Sequence, residues 1–243
     1  MSRDARRGVS HEDRRGVSQG AGHGGVRSGG DFHPPGRDCP LCPRLAAYRL
    51  ANQEAHPDWH NAPVPSFGGL DARILVTGLA PGVRGANRTG RPFTGDYAGV
   101  LLYQTLLRFG LASGAYDARA DDGLSLNGCR VTNAVRCVPP ANLPVTAEIN
   151  TCNAFLTAEL DAMPDLRGVL ALGLVAHKAV LKARGLRASH VPFRHGAVHA
   201  LPDGLLLADS YHVSRLNTNT GRLTEAMFHD AVAALLDRLR DQE

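Results

Sequence analysis

The sequence predicts an α/β protein in which a parallel sheet is covered on both faces by helices, and three stretches of the chain carry that expectation. RILVTGL (73–79) is a short apolar run ending at a turn residue position, and after a loop YAGVLLYQTLLRFG (97–110) places its apolar residues at helical spacing. The alternation returns in CRVTNAV (129–135) followed by TAEINTCNAFLTAEL (146–160). It returns again in GVLALG (168–173) followed by LVAHKAVLKA (174–183). Beyond these, AVHAL (197–201) and LLLAD (205–209) continue the strand pattern, and SYHVSRLNTNTGRLT (210–224) reads as a loop. The closing segment is a helix with Val232, Leu235, Leu236 and Leu239 on one face.

In such sheets functional groups lie at the carboxyl ends of the strands. Three loops therefore come forward: the one after Leu79, the one around Asn133 to Pro144, and the one from Ser210 to Gly221. Each begins where an expected strand stops, and each is polar or rich in glycine or proline.

At 243 residues and 43% hydrophobic content, the chain can bury the core of one ordinary domain. Residues 1–33 stand apart from it. They are rich in Gly, Ser, Arg and Asp, repeat RRGVS at 6–10 and 14–18, and cannot offset their ordering entropy by burial. We expect a disordered basic tail ahead of a domain spanning 34–243, with loose DNA contact as one role for the tail. No run of about 18 apolar residues and no apolar leader occurs, so neither a membrane span nor a secretory signal is expected, and the setting is read as cytoplasmic. The net charge of +4 and pI near 9.0 suit a phosphate-binding protein and equally an ordinary solvated surface. Arginine carries nearly all the positive charge, Lys178 and Lys182 being the only lysines, which favours bidentate phosphate contacts.

The five cysteines are Cys39, Cys42, Cys129, Cys137 and Cys152. An odd count in a reducing compartment argues against a disulfide framework. Cys39 and Cys42 form C-x2-C, and Cys137 and Cys152 lie 15 residues apart, so four thiolates are available for tetrahedral zinc or for an iron-sulfur cluster. Cys129 sits inside an apolar strand and reads as core.

Taken together, GLAPGVRGANRTGRPFTGD (78–96), TNAVRCVPPANLP (132–144) and SYHVSRLNTNTGRLT (210–224) resemble the uracil-DNA glycosylase superfamily, in particular its family 5, or type B. The resemblance covers about residues 37 to 240. It implies a three-layer α/β/α sandwich with a central, mainly parallel four-stranded sheet, and a monomeric enzyme that removes uracil from DNA. It also implies that Cys39, Cys42, Cys137 and Cys152 hold a structural [4Fe-4S] cluster. The competing reading is a metal-cluster protein that binds nucleic acid or carries electrons without glycosylase activity.

Carried over residue by residue, the resemblance makes His212 a neutral donor to the departing uracil oxygen, since charge develops there as the bond to the sugar breaks. Asn133 would read the uracil edge, an amide matching N3–H and O4 with one acceptor and one donor; Asn142 is the alternative amide. Phe93 would stack on the base. The first motif departs from better-known relatives, with Leu79 and Ala80 where a polar residue positions the attacking water. Asp96 is the nearest carboxylate, able to orient water or, equally, to cap the helix that starts at Tyr97. Gly78, Gly82 and Gly85 permit close backbone approach, Pro81 stiffens the turn, and Ala80 lines the same loop. Asn87, Arg88, Arg91, Ser214 and Arg215 are candidate phosphate contacts, and Leu216 or Arg215 the wedge that fills the vacated stack.

Overall fold

The structure is a computed structural model that describes residues 32–242. The expected tail of residues 1–33 thus lies outside the described residues, apart from its last two. Helix α1 (Pro43–Ala55) begins directly behind Cys42, with proline at its first position, where a missing amide costs nothing. Strand β1 (Ile74–Gly78), the short helix α2 (Ala86–Thr89) and helix α3 (Tyr97–Arg108) follow. A small hairpin, β2 (Ala112–Ser113) and β3 (Ser125–Leu126), leads into β4 (Cys129–Asn133). Next come α4 (Thr146–Asp161), β5 (Gly168–Leu172), α5 (Leu174–Ala183), β6 (Val198–Ala200) and β7 (Leu206–Ser210). Helices α6 (Arg215–Asn219) and α7 (Glu225–Arg240) come last.

The main sheet has the order β4-β1-β5-β7-β6. β4, β1, β5 and β7 are parallel, forming the four-stranded unit that the resemblance implies. The sheet is one strand larger than expected, because β6 pairs antiparallel with β7. Their connection closes in a tight turn, with Leu201 N donating to Leu205 O at 2.9 Å. So short a link permits only antiparallel pairing.

Every residue of the four parallel strands is buried, as expected of strands covered on both faces. Alternate side chains feed two cores. Ile74, Val76, Leu170, Leu172 and Leu206 pack with residues of α3 and α7 on one face. Leu75, Val169, Ala171 and Leu207 pack with those of α4 and α5 on the other. Each fully buried leucine contributes roughly 1.5–3 kcal/mol, and the two cores make the three layers. Among the described residues no helix is long and apolar enough to cross a membrane.

Two features place the strand ends. The chain leaves β1 for β4 on one side and later crosses back over β1 to β5, so the strand order reverses at β1 and the loops part there. Behind β4, the buried Glu159 accepts from Arg130 Nε at 2.7 Å and Thr132 Oγ1 at 3.1 Å, and pairs with Arg136. Burial alone would raise the Glu159 carboxyl, but the two guanidinium groups outweigh it and hold it below its ordinary range.

Candidate active site

β1 and β4 end side by side, with Gly78 in register with Asn133. No side chain fits at position 78: a Cβ there would stand 2.3 Å from Phe93 Cζ and 2.5 Å from Asn133 Oδ1. Glycine is what lets the ring and the amide close on one spot. Asn133 is buried, and among the described residues its amide has no protein hydrogen-bond partner. The alternative amide, Asn142, is exposed on a short 3-10 turn.

Phe93 is buried with φ +52, a conformation that a bulky residue adopts only when its surroundings impose it. Those surroundings are visible. Tyr116 Oη donates to the Phe93 carbonyl at 3.2 Å, and Tyr103 Oη donates to the Pro92 carbonyl at 2.6 Å. Arg91, expected among the phosphate contacts, is instead buried in this support. Its guanidinium packs over the rings of Phe67, Tyr103 and Tyr116 and donates to both carboxylate oxygens of Asp122 at 2.7 and 2.6 Å. That hydrogen-bonded pairing holds the Asp122 carboxyl far below its ordinary value.

His212 follows β7, and its ring centroid lies 6.2 Å from that of Phe93. Three residues upstream, the buried Asp209 is gripped by His177 Nδ1 at 2.7 Å and His199 Nε2 at 3.1 Å, which fixes the strand that delivers His212. Asn217 Nδ2 donates to the His212 carbonyl at 2.8 Å and closes the loop. The imidazole keeps a window to solvent, yet the atoms packed around it desolvate the ring enough to lower its pKa to about 4. Among the described residues no hydrogen bond engages the ring. At neutral pH it is an uncharged ring with one N–H to give.

Asp96 stands where an N-cap stands, with extended backbone before α3, but no cap hydrogen bond forms. Its Oδ1 is buried and, among the described residues, has no partner. Its Oδ2 faces the glycine loop, where a Cβ on Gly82 or Gly85 would come within 2.9 or 2.3 Å. Burial raises the carboxyl pKa, opposed in part by the nearby amides of Gly99 and Ala98. The carboxylate is thus partly engaged at the start of α3, with Oδ1 left over.

In the rest of the first motif, Pro81 is buried and Ala80 packs against the cysteine-bearing segment. Asn87 does not reach solvent as a phosphate contact must. It is buried, and its Nδ2 donates to Asn61 Oδ1 at 2.9 Å. Arg88 is exposed, as is Arg84, which sequence reasoning passed over. In the last motif Ser214 caps α6, accepting from Asn217 N at 3.4 Å. Arg215 lies 5.3 Å over the Tyr97 ring, and Leu216 is 72% exposed.

Cys39, Cys42, Cys137 and Cys152 line one small cavity together with Leu45, Val135 and Phe155. Among the described residues no three histidine, cysteine or acidic side chains stand close enough to hold a single metal ion. Two donors face the sulfurs: Arg136 N donates to Cys152 Sγ at 3.3 Å, and Arg49 Nη1 reaches Cys137 Sγ at 4.0 Å. Burial pushes the Cys137 thiol up to about 12 and also raises Cys152 and Cys42. Bare, these groups stay protonated, so whatever binds them must displace protons. Four sulfurs around one cavity, with a cation and an amide turned toward them, fit a thiolate-held cluster. Cys129, as expected, lies in the core of β4.

A doubly covered parallel sheet whose strand ends present a buried amide, an uncharged imidazole and a partly unpartnered carboxylate has the make-up of an α/β enzyme site. The model of the uracil DNA glycosylase superfamily matches residues 65–236, and the chain belongs to that superfamily. A type-5 uracil-DNA glycosylase of Thermus thermophilus is 50% identical over 196 residues, 78% of this chain and 89% of that protein. Those of Pyrobaculum aerophilum and Mycobacterium leprae are each 43% identical, over 77% and 79% of this chain and 83% and 87% of theirs. A type-4 protein of Pyrobaculum aerophilum is more distant, 32% identical over 63% of this chain and 64% of its own. The chain thus sits with the type-5 branch.

Proposed function

We propose that the protein is a monofunctional DNA glycosylase that extrudes uracil from DNA and hydrolyses its bond to the sugar. The observation that carries this reading is that Phe93 and Asn133 close on the end of β1 with the His212 ring 6.2 Å from that of Phe93, while Asp96 lies against the glycine loop that follows β1. Extrusion costs a few kcal/mol, and the 72% exposed Leu216 is the side chain that fills the vacated stack, since Arg215 is engaged over Tyr97. Arg84 and Arg88 offer exposed guanidinium groups to phosphates.

In the pocket, Phe93 stacks on the base while the Asn133 amide accepts from N3–H and donates to O4. As the bond between N1 and C1′ breaks, its electron pair passes to the base and the sugar gains oxocarbenium character. His212 donates its N–H to the uracil oxygen on which the charge collects. Water oriented by Asp96 adds to C1′ and loses a proton, leaving uracil and an abasic site. Gly78→Ala is expected to push Phe93 and Asn133 apart, giving a folded protein that binds abasic-site DNA yet has lost most of its base release.

Cys39, Cys42, Cys137 and Cys152 would hold a [4Fe-4S] cluster that supplies no electrons to this reaction and serves as a staple. It would fasten the segment before α1, poor in apolar residues, to the loop after β4. Arg44 reinforces the same junction, donating to the two oxygens of Glu148 at 2.7 and 2.8 Å. Cys152→Ser is expected to lose visible absorbance and thermal stability together; a colourless variant with unchanged melting speaks against a structural cluster.

The enzyme would work as a cytoplasmic monomer on chromosomal DNA, with residues 1–33 as a basic tail. Because the first motif carries Leu79 and Ala80, hypoxanthine and xanthine are proposed as further substrates. The test is a set of labelled duplexes carrying uracil, hypoxanthine, xanthine or mismatched thymine. Strand breakage that appears only after alkali establishes a monofunctional glycosylase, and breakage confined to uracil removes the broader range.

A further inference from the structure

Asn61 belongs to none of the motifs, yet each of its hydrogen-bonding groups is in use. Its main-chain N donates to the Asn87 carbonyl at 3.0 Å, and its Oδ1 accepts from Asn87 Nδ2 at 2.9 Å. Its Nδ2 donates to the carbonyls of Asn52 at 3.2 Å and His56 at 2.6 Å, and its own carbonyl accepts from Gln53 Nε2 at 3.0 Å. The residue is 1% exposed and holds φ at +41, a conformation that asparagine tolerates better than most side chains. Strain of this kind persists only where the surroundings over-determine it.

On one side these bonds end on α1 and the turn behind it. That helix starts at Cys42, and its Arg49 donates to the Cys39 carbonyl at 3.2 Å and reaches Cys137 Sγ. On the other side they end on Asn87. Asn87 N donates to the Gly82 carbonyl at 3.1 Å, and among the described residues its buried Oδ1 has no partner, so there Asn61 alone orients its amide. Gly82 and Gly85 in turn form the wall against Asp96 Oδ2.

We infer that Asn61 is a positioning residue: through Asn87 it sets the glycine loop against Asp96 and couples that loop to α1, the helix that follows Cys42. It touches neither substrate nor water itself. The inference rests on the glycosylase reading. It also gives the cysteine segment a route to the chemistry, since loosening α1 would release the carbonyls that Asn61 holds.

The test uses the full-length, iron-loaded protein and two variants. Asn61→Asp keeps the acceptor for Asn87 but loses the donor to Asn52 and His56, leaving only the Gln53 bond on the α1 side. Asn87→Ala removes the side-chain bond on the loop side, keeps the main-chain bond from Asn61 N to the residue-87 carbonyl, and is the milder change. Single-turnover uracil release is measured well below each melting temperature, alongside affinity for a duplex carrying a tetrahydrofuran abasic analogue. We expect each variant to slow release by on the order of ten- to a hundredfold, as small misplacements do, with affinity changed less than about twofold. The double variant should be no slower than the slower single one, the signature of residues acting in series. Variants that melt earlier but release uracil at the wild-type rate would overturn the inference, as would losses that multiply. If Asn61→Asp does not fold, Asn87→Ala decides alone. A wild type that releases no base is a failure of the glycosylase reading, distinguishable from equal rates in wild type and variants.

Discussion

His212→Ala slows uracil release by on the order of 10²-fold or more while melting close to wild type, because a donor placed where charge develops is lost and no structural hydrogen bond goes with it. Affinity for uracil-containing duplex should change far less than the rate. The pH dependence follows from the same site. Desolvation holds the ring pKa near 4, so the uncharged form is fully populated at neutral pH. Protonating it would add charge that the atoms packed around the ring solvate poorly. Between about pH 5 and 8 no change in rate is therefore expected from this imidazole, although an unperturbed histidine titrates in that window. His212→Ala melting several degrees lower with an unchanged rate would make the ring a packing element.

Asp96→Asn separates a chemical role from a helix cap when rate and stability are read together. The expected result is a rate lower by on the order of 10²-fold with unchanged or higher stability at pH 7. The sign follows from linkage. Folding raises this carboxyl above its ordinary value of 3.8, so the native state binds the proton more tightly than the unfolded chain. Its favourable contribution is present below 3.8 and is lost as pH rises through the raised value. At neutral pH the ionised, partly unpartnered carboxylate costs stability, and an uncharged amide of the same shape removes that cost. Asparagine is also a good cap, so a simple capping role would leave the rate untouched.

The parallel core was legible because its strands are continuous apolar runs, each ending where a polar or glycine-rich loop begins. Helix α1 was not, since two of its three buried residues, Arg49 and Asn52, are polar and turn inward toward hydrogen-bond partners rather than an apolar core. The hairpin of β2 and β3, two residues each, carries too little pattern to read. In the site, the positions of His212, Asn133 and Asp96 at strand and helix ends could be reached from the chain, but the absence of partners for the His212 and Asn133 side chains among the described residues could not. Asn87 and Arg91 show the opposite difficulty. A polar residue in a glycine-rich loop reads as a phosphate contact, and its burial is decided by Asn61 and Asp122, 26 and 31 residues away. The left-handed backbone of Phe93 leaves no trace in composition or spacing, because tyrosine hydroxyls from elsewhere in the chain impose it.

The state of the His212 ring can be observed directly by nitrogen resonance spectroscopy of histidine-labelled protein across about pH 4 to 8. The spectra would be taken free and with a duplex carrying uncleavable 2′-fluoro-2′-deoxyuridine. A ring that stays neutral down to about pH 5, and whose single N–H resonance shifts when the duplex binds, is the result expected of a desolvated donor to the leaving base. A ring that titrates like a solvent-exposed histidine, or whose N–H is indifferent to the bound uridine, would contradict it.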